Sequence, residues 1–227
     1  WGPNPQRGVL SSQDGMMRVV GGPWSFVRAL ARIVSTERVR TGVRVTHLEP
    51  LLEAVHVTTH TGERRTARRV SVAAPLRVVA DQISMPAMDS GVLRAMRNVP
   101  TWMAAQAKAV VLYDRPFWRE AGLSGRIASR IGPLSEAHDH TPATGVQGAI
   151  FGFVQWPPEL REANPRELRS AILAQLARCL GPDAGTPVAI HVEDWAANPM
   201  ICSARDISEP PQHPHVVSAV LRQPHWG

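Results

Sequence analysis

The sequence predicts an α+β fold in a globular chain that does not span a membrane, and three observations support that prediction. Strand-like segments alternate with helical patterns in the order strand, helix, three strands, helices, two strands, helix, strand. The 227 residues are 44% hydrophobic and 19% charged, which is typical of a globular chain that buries a sizeable core. No apolar run reaches the roughly 18 residues of a membrane-spanning helix, and no signal peptide opens the chain. We therefore expect a cytoplasmic protein without membrane contact.

The first part of the chain predicts a helix followed by a β-meander. Residues 1–15 are rich in Gly, Pro, Ser and Asn and predict a loop or tail. A short strand at 18–20, a Gly-Gly turn and a helix from Pro23 follow, since the apolar residues from Phe26 to Val34 recur at helical spacing. Alternating valines at 43–45, 55–57 and 70–72 predict three short strands, with a turn at Thr61-Gly62.

The second part predicts a mixed sheet backed by a helix. Two helical stretches precede Pro100, and strands are predicted at 102–113, 148–156 and 187–195. The pattern at 164–181 predicts an amphipathic helix that starts at Pro165 and ends at Gly181. On the strand at 102–113, period two places Lys108 on one face and a row of alanines on the other.

Charge and cysteine content predict neither nucleic-acid binding nor a metal site. The formal charge is +6 and the pI about 10.8, but the arginines are spread along the chain without an RNA-binding pattern. Cys179 and Cys202 lack metal-type spacing, and Cys179 is expected to be a buried apolar residue in a helix. The histidines at 138–140 and 213–215 lie in sequence that predicts surface loops.

Lys108 is the single lysine in the chain, because the other 24 of the 25 strong bases are arginines. An ammonium placed among Gln, Val and Leu loses water. Desolvation lowers the pKa of a lysine, so such an amine can act as a base or hydrogen-bond donor. The alternative is structural, with the side chain reaching past its apolar stem to solvent or to a carboxylate.

Six stretches of the sequence resemble, in order, the landmarks of one family. They are GGPWSFVRALA; VRVTHLE with AVHVTTHTGE; RVSVAAP; NVPTWMAAQAKAVVLYDRPFWREAGLSG; GAIFGFV; and HVEDWAANP. The chain resembles the flavin-dependent amine oxidases, a family of monoamine, polyamine, putrescine and L-amino-acid oxidases, from about residue 16 to 226. The block that contains PFWR and GLSG is the most specific part of the match.

The resemblance implies FAD as cofactor and a set of site residues. Lys108 matches the family lysine that holds a water beside the flavin, and it is the predicted catalytic residue. The predicted cofactor-binding residues are Val45, whose backbone meets the adenine, Ala74 and Pro75, where the chain passes close to the cofactor, and Trp195, beside the flavin ring. No metal is expected.

The resemblance also predicts incomplete domains. We expect residues 16–80 to be part of an incomplete Rossmann-like FAD-binding domain, 81–200 part of a substrate-binding domain, and 201–227 a segment returning toward the cofactor domain. The Gly-x-Gly-x-x-Gly fingerprint and the family's last FAD-binding stretch are absent from this sequence. The segment ICSARD at 201–206 also lacks the aromatic residue that often holds the amine.

Two functions remain open at this point. One is part of an FAD-dependent amine or amino-acid oxidase that is not catalytic as this chain alone, since the parts that hold the phosphates are missing. It would act on a small-molecule amine or amino acid, together with the remaining FAD-binding segments or a partner chain. The alternative is a non-catalytic binding or accessory subunit without flavin. Exposed cofactor-facing surfaces could support a homo-oligomer.

Overall fold

The computed structural model describes residues 19–142, 145–213 and 217–226, which fold as alternating helices and antiparallel strands. The α-helices are α1 (Trp24–Val34), α2 (Leu76–Gln82), α3 (Ser90–Arg97), α4 (Phe117–Glu120), α5 (Pro158–Ala163), α6 (Pro165–Leu180) and α7 (Ala204–Ser208). The strands are β1 (Val45–Pro50), β2 (Val55–Thr59), β3 (Arg64–Ala67), β4 (Ala107–Tyr113), β5 (Ile127–Ala128), β6 (Leu134–Asp139), β7 (Gly148–Val154) and β8 (Ala189–Asp194).

The chain divides into two compact units. The sheet unit contains residues up to 39 together with 106–194, and the meander unit contains 40–105 together with the chain from 195 onward. These boundaries differ from those of the predicted domains at 16–80, 81–200 and 201–227, because α1 groups with the sheet unit and the segment 81–105 with the meander. The assignment of those ranges to a cofactor domain and a substrate domain stays a prediction, and the predicted tail at 1–15 lies outside the described residues.

The sheet unit is built on five strands in the order β5-β6-β7-β4-β8. Each pairing between these strands is antiparallel, so the expectation of a mixed sheet is wrong, although the α+β class is confirmed. The central strand β4 pairs along its length with β7 on one side and with β8 on the other. A strand enclosed on both sides has its register determined by both neighbours.

The core of the sheet unit lies between one face of β4 and helix α6. Ala107 and Ala109 are completely buried, and Ile172 and Leu176 of α6 are also 0% exposed. Small residues on the strand let the helix approach closely, while the helix supplies aliphatic side chains one turn apart. Burial of each such aliphatic side chain contributes roughly 1.5–3 kcal/mol.

The PFWR and GLSG motifs close one end of this core through Asp139. Trp118 Nε1 and Arg119 Nε donate to the same carboxylate oxygen, at 2.8 and 2.6 Å, and the backbone N–H of Thr141 donates to the other oxygen at 2.8 Å. Burial alone would raise the pKa of Asp139, but the hydrogen bonds from Arg119, Thr141 and Trp118 lower it to about 2.

Gly125 is required where the GLSG turn passes this cluster. Its φ is +69°, and a Cβ there would lie 2.7 Å from Trp118 Nε1 and 2.8 Å from Asp139 Cβ. Gly122, in the same motif, has a similar φ of +74° but open space around the position of a Cβ. The two glycines of the motif therefore serve different purposes, since both supply the left-handed turn but only Gly125 makes room.

In the meander unit, a three-stranded antiparallel sheet in the order β1-β2-β3 packs against helices α2 and α3. Leu48, Val55, Val79 and Met96 lie in its core. Helix α2 also holds the segment after residue 195. The buried Arg77 donates to Asp206 at 2.8 Å and to Glu209 at 2.6 Å. These two pairs join α2 to α7 and to the residue that follows it.

Several local predictions differ from the structure. The third strand of the meander is Arg64–Ala67 rather than the stretch around Val70 and Val72, because the tight turn at Gly62, with φ +82°, starts the return strand at once. Residues 19–20 form no strand, and Arg18 lies outside the described residues. His138 lies in β6 rather than in a loop, whereas the second histidine cluster is described only at His213. Cys179 is exposed, not buried, because it points away from the face of α6 that packs on the sheet.

Helix α1 forms as predicted but buries none of its residues. Its apolar side chains are exposed, namely Trp24, Phe26, Val27, Leu30, Ile33 and Val34. In residues 19–142, 145–213 and 217–226, no helix has the length and hydropathy needed to cross a membrane.

We predict that Asp139→Asn destabilises the protein in a pH-dependent way. The lowered pKa of Asp139 means that its charge stabilises the fold above the ordinary value of 3.8, and that this stabilisation is lost as the pH falls through about 2. The variant should lose about 2 kcal/mol of unfolding free energy near neutral pH and approach the parent in acid. Urea unfolding between pH 7 and pH 2 measures this, with Asp81→Asn in an exposed ion pair as the control. An equal loss at both ends of the range would contradict the assignment.

We predict that Gly125→Ala is more destabilising than Gly122→Ala. Both substitutions place a Cβ at positive φ, which costs roughly 1–2 kcal/mol, and only Gly125→Ala adds a collision with Trp118, which costs roughly 1–3 kcal/mol more. Thermal and urea unfolding of the two variants give the difference. Equal destabilisation would show that the space beside Trp118 is not limiting.

Candidate functional site

The side chain of Lys108 lies on the face of β4 opposite to the core. The burial pattern of β4 alternates along the strand, with Ala107 and Ala109 buried and Lys108 and Val110 partly exposed. The Lys108 Nζ lies 5.3 Å from the ring centroid of Phe153 and 5.8 Å from that of Phe151. Both distances are within the range of a cation–π interaction. Lys108 is therefore half-buried on two aromatic rings and does not extend freely into solvent.

The two phenylalanines come from the neighbouring strand. Lys108 is directly opposite Phe153 in the β4–β7 register, and Val110 is opposite Phe151. The two rings contact each other edge to face at 5.1 Å between centroids. Residues opposite one another in antiparallel strands share a face of the sheet. The register of β4 and β7 therefore places the Lys108 ammonium beside the two rings.

Two glutamates extend the same row of the sheet. Glu193 of β8 is opposite Lys108, and Glu136 of β6 is opposite Phe153. Each glutamate contacts a histidine of its own strand, with 3.0 Å between Glu136 and His138 and 3.5 Å between Glu193 and His191. None of the ion pairs among the described residues includes Lys108, so the phenyl rings are its main contacts.

The strand that carries Glu193 is anchored at its end by Arg161. The guanidinium forms a bidentate pair with Asp194, with both N···O distances at 2.7 Å, and the Arg161 side chain is 4% exposed. Asp194 is opposite Ala107 in the register, one residue before Lys108. A buried bidentate pair restricts the orientation of both planar groups, so it holds the strand ends beside Lys108 in place.

A separate cavity of about 270 Å³ lies within the meander unit. Its lining is mostly aliphatic and includes two predicted cofactor-binding residues, Val45 and Ala74. Val45 lies at a register shift between β1 and β2, and such a bulge alters the direction of the backbone. A concave apolar site of this size is able to take a planar aromatic group.

The other two predicted cofactor residues, Pro75 and Trp195, do not line this cavity, although each lies within five positions of a residue that does. Pro75 precedes the first residue of α2, and Trp195 begins a short 3₁₀ turn at 195–197. Met200, five residues after Trp195, does line the cavity, next to Gln82, whose side chain donates to the carbonyl of Pro199 at 2.6 Å. The structure thus brings Val45 and Ala74 together, while Lys108 belongs to the other unit and its relation to them stays a prediction.

Metal and disulfide chemistry find no support in the described part of the chain. In that part, no three His, Cys, Asp or Glu side chains come close enough to hold a metal ion. Neither Cys179 nor Cys202 forms a disulfide.

Sequence reasoning did not single out Phe151, Phe153, Glu136 or Glu193. The two phenylalanines were recognisable as same-face residues of a predicted strand, because they are two positions apart in GAIFGFV. Glu136 carried no such signal, since the segment around His138 was interpreted as a loop. Its position opposite Phe153 depends on a strand pairing that is visible only in the structure.

Comparisons with known proteins identify the family to which the sequence is similar. A family model described as flavin containing amine oxidoreductase matches residues 5–225. A probable flavin-containing monoamine oxidase A of Dictyostelium discoideum is 24% identical over 180 residues, which cover 78% of this chain and 39% of that protein. An L-amino acid dehydrogenase of Synechocystis sp. is 29% identical over 197 residues, which cover 82% of this chain and 40% of that protein.

A solved structure has a similar fold over most of this chain. A putrescine oxidase variant superposes with a TM-score of 0.69 at 26% identity, over 81% of this chain and 41% of that one. The chain thus spans about two fifths of the length of these relatives. A family match over nearly the whole chain, together with helices and antiparallel sheets that superpose on an amine oxidase, shows that this chain belongs to the flavin-containing amine oxidoreductase family.

Proposed function

We propose that this chain is part of an FAD-dependent oxidase that acts on the C–N bond of an amine or amino acid. The observation that carries the proposal is Lys108, the single lysine of the chain, held on the open face of the central strand by two phenyl rings. Family membership indicates the type of chemistry, and the position of Lys108 on the open face indicates the residue that takes part in it. FAD, when bound, would supply the redox chemistry: it would take a hydride from the carbon next to the nitrogen while the nitrogen loses a proton, water would hydrolyse the imine, and dioxygen would reoxidise the reduced flavin and leave as hydrogen peroxide.

The role proposed for Lys108 is to hold a water at the reacting centre and to exchange protons with it. Cation–π contacts restrain the ammonium without using its N–H groups as hydrogen-bond donors to a carboxylate. Those N–H groups are therefore available for a water or for the substrate. A restrained donor is more effective than a mobile one, because folding has already fixed its position and less conformational entropy is lost on binding.

The cavity of the meander unit is the proposed site for the adenine end of the cofactor. Val45 and Ala74 line it, and its aliphatic walls suit a flat aromatic group. The sequence contains no Gly-x-Gly-x-x-Gly stretch to bind the phosphates, so we propose that the remaining FAD-binding segments or a partner chain complete the site. The same reasoning predicts no turnover by this chain alone.

The experiment that tests the function is expression of the longer gene product or reconstitution with the missing segments. A yellow protein that produces peroxide from amines or amino acids is expected. A folded, colourless protein that binds no FAD would contradict the proposal and would favour the non-catalytic accessory subunit.

We predict that, in the longer protein loaded with FAD, Lys108→Met abolishes most turnover while leaving FAD bound. Loss of a positioned proton-transfer group typically costs about 10²–10⁴-fold in rate. Stopped-flow reduction of the flavin and oxygen uptake measure the two half-reactions, and the visible spectrum reports cofactor content. Leu112→Met, on the same face of β4, is the matched control. Unchanged rates in both half-reactions would remove Lys108 from the mechanism.

We predict that Ala74→Trp weakens FAD binding because the indole fills the cavity. A rise of at least tenfold in the dissociation constant, about 1.4 kcal/mol, is expected. Fluorescence titration with FAD measures it in the reconstituted protein, and Ala87→Trp at an exposed site of the same unit is the control. An unchanged constant for Ala74→Trp would show that the cofactor does not enter this cavity.

A further inference from the structure

Met200 is the most exposed methionine among the residues that the structure describes. It is 49% exposed. The other described methionines are buried or partly buried, namely Met85 at 7%, Met96 at 6%, Met88 and Met103. The oxidation of a thioether by peroxide depends on access to the sulfur. Met200 is therefore the methionine of this group that is most open to oxidation.

The same residue forms part of the wall of the cavity in the meander unit. Apart from Arg44, Ser71 and Gln82, the residues that line this cavity are aliphatic or Met200 itself. A thioether suits such a lining because it is flexible and apolar. A sulfoxide is polar, so oxidation would present an S–O dipole to side chains that are mostly unable to donate a hydrogen bond to it.

Two hydrogen bonds restrain the backbone around Met200. The side-chain amide of Gln82 donates to the carbonyl of Pro199 at 2.6 Å, and the backbone N–H of Met200 donates to Asn198 Oδ1 at 3.0 Å. Gln82 itself lines the cavity, so the first of these bonds joins two parts of its wall. The Cα of Met200 is thus held at the cavity, and a polar group on its side chain stays beside it.

The proposed oxidase reaction supplies the oxidant, because it reduces dioxygen to hydrogen peroxide. The Met200 sulfur attacks one peroxide oxygen, so that a sulfur–oxygen bond forms and the O–O bond breaks. The sulfur loses two electrons and the peroxide gains them. The proton on the transferred oxygen leaves with the departing hydroxide as water. The product is methionine sulfoxide, and the step needs no further reactant.

We propose that Met200 is a peroxide-modification site whose oxidation to the sulfoxide weakens binding in the cavity of the meander unit. This inference rests on the proposed function, which provides the peroxide and assigns the cavity to the cofactor. Accumulated product would then lower the cofactor affinity of the protein that formed it. Methionine sulfoxide reductases reverse the modification, so the lost affinity is recoverable.

The exposed thiol of Cys179 is a competing target for peroxide. It lies on α6 in the sheet unit, whereas the cavity belongs to the meander unit. Cys179→Ser therefore removes the competing reaction without changing the cavity lining. This variant is the background for each measurement on Met200.

Peptide mapping after treatment with hydrogen peroxide tests the site. In the folded Cys179→Ser protein, Met200 should become the sulfoxide at least about fivefold faster than Met85 and Met96, because those two are buried. In urea the three methionines should react at similar rates, since the fold no longer protects any of them. Equal rates in the folded protein, or a slower rate at Met200, would overturn the inference.

The effect on the cavity is measured with the fluorescent aromatic dye anilinonaphthalene sulfonate, which requires no catalysis. The component of dye binding that Ala74→Trp removes is assigned to the cavity. Peroxide should raise the dissociation constant of that component about tenfold, and a methionine sulfoxide reductase should restore it.

Met200→Leu should make dye binding insensitive to peroxide. Met88→Leu, in the same unit but not among the cavity-lining residues, should respond to peroxide as the parent does. Thermal unfolding shows whether each variant is folded. Unchanged dye binding by protein whose Met200 is fully oxidised, or the absence of a cavity component in the parent, would overturn the inference.

Turnover by the longer protein separates this inference from the proposed function. During amine oxidation, Met200 sulfoxide should accumulate and FAD should be released, and added catalase should prevent both. If the longer protein forms no peroxide but added peroxide still oxidises Met200 selectively and weakens dye binding, the oxidase function fails and the modification site stands. If it oxidises an amine and retains FAD although Met200 is oxidised, the function stands and the inference is overturned.

Discussion

The burial of one face of β4 against α6 is the constraint from which the candidate site follows. Ala107 and Ala109 are completely buried, so every second side chain of the strand must enter the core. Period two then leaves the open face to Lys108 and Val110. A slip of one residue would bury an ammonium and expose the alanines, at a cost of several kcal/mol. The orientation of the catalytic candidate is therefore a consequence of core packing.

The same constraint explains why the residues around Lys108 come from distant parts of the sequence. Antiparallel pairing places Phe153 on one side of Lys108 and Glu193 on the other. The Arg161–Asp194 pair holds the end of the second of these strands. Residues that never contact a substrate thus determine which groups surround the ammonium. The PFWR and GLSG motifs belong to this supporting structure, since Trp118 and Gly125 meet at Asp139 and not on the open face.

Family membership and local geometry constrain different parts of the function. Membership places the chain among flavin containing amine oxidoreductases, and the named relatives include a monoamine oxidase, an L-amino acid dehydrogenase and a putrescine oxidase. The relatives therefore do not specify a substrate class for this chain. In this chain the row that contains Lys108 also carries two carboxylates, Glu136 and Glu193. The meander unit contributes a mostly aliphatic cavity.

The sequence by itself determined the α+β class, helices α1, α2, α3 and α6, the strands at β4, β7 and β8, and the side of β4 that carries Lys108. These features depend on local periodicity and on residues such as Pro165 and Gly181, which act within a few positions. Only the tertiary structure decided that the sheet is antiparallel, that His138 lies in a strand, that Cys179 is exposed and that Glu136 shares a row with Lys108. Strand pairing joins segments that are far apart in the chain, and its free energy depends on packing across the sheet, which no local pattern contains.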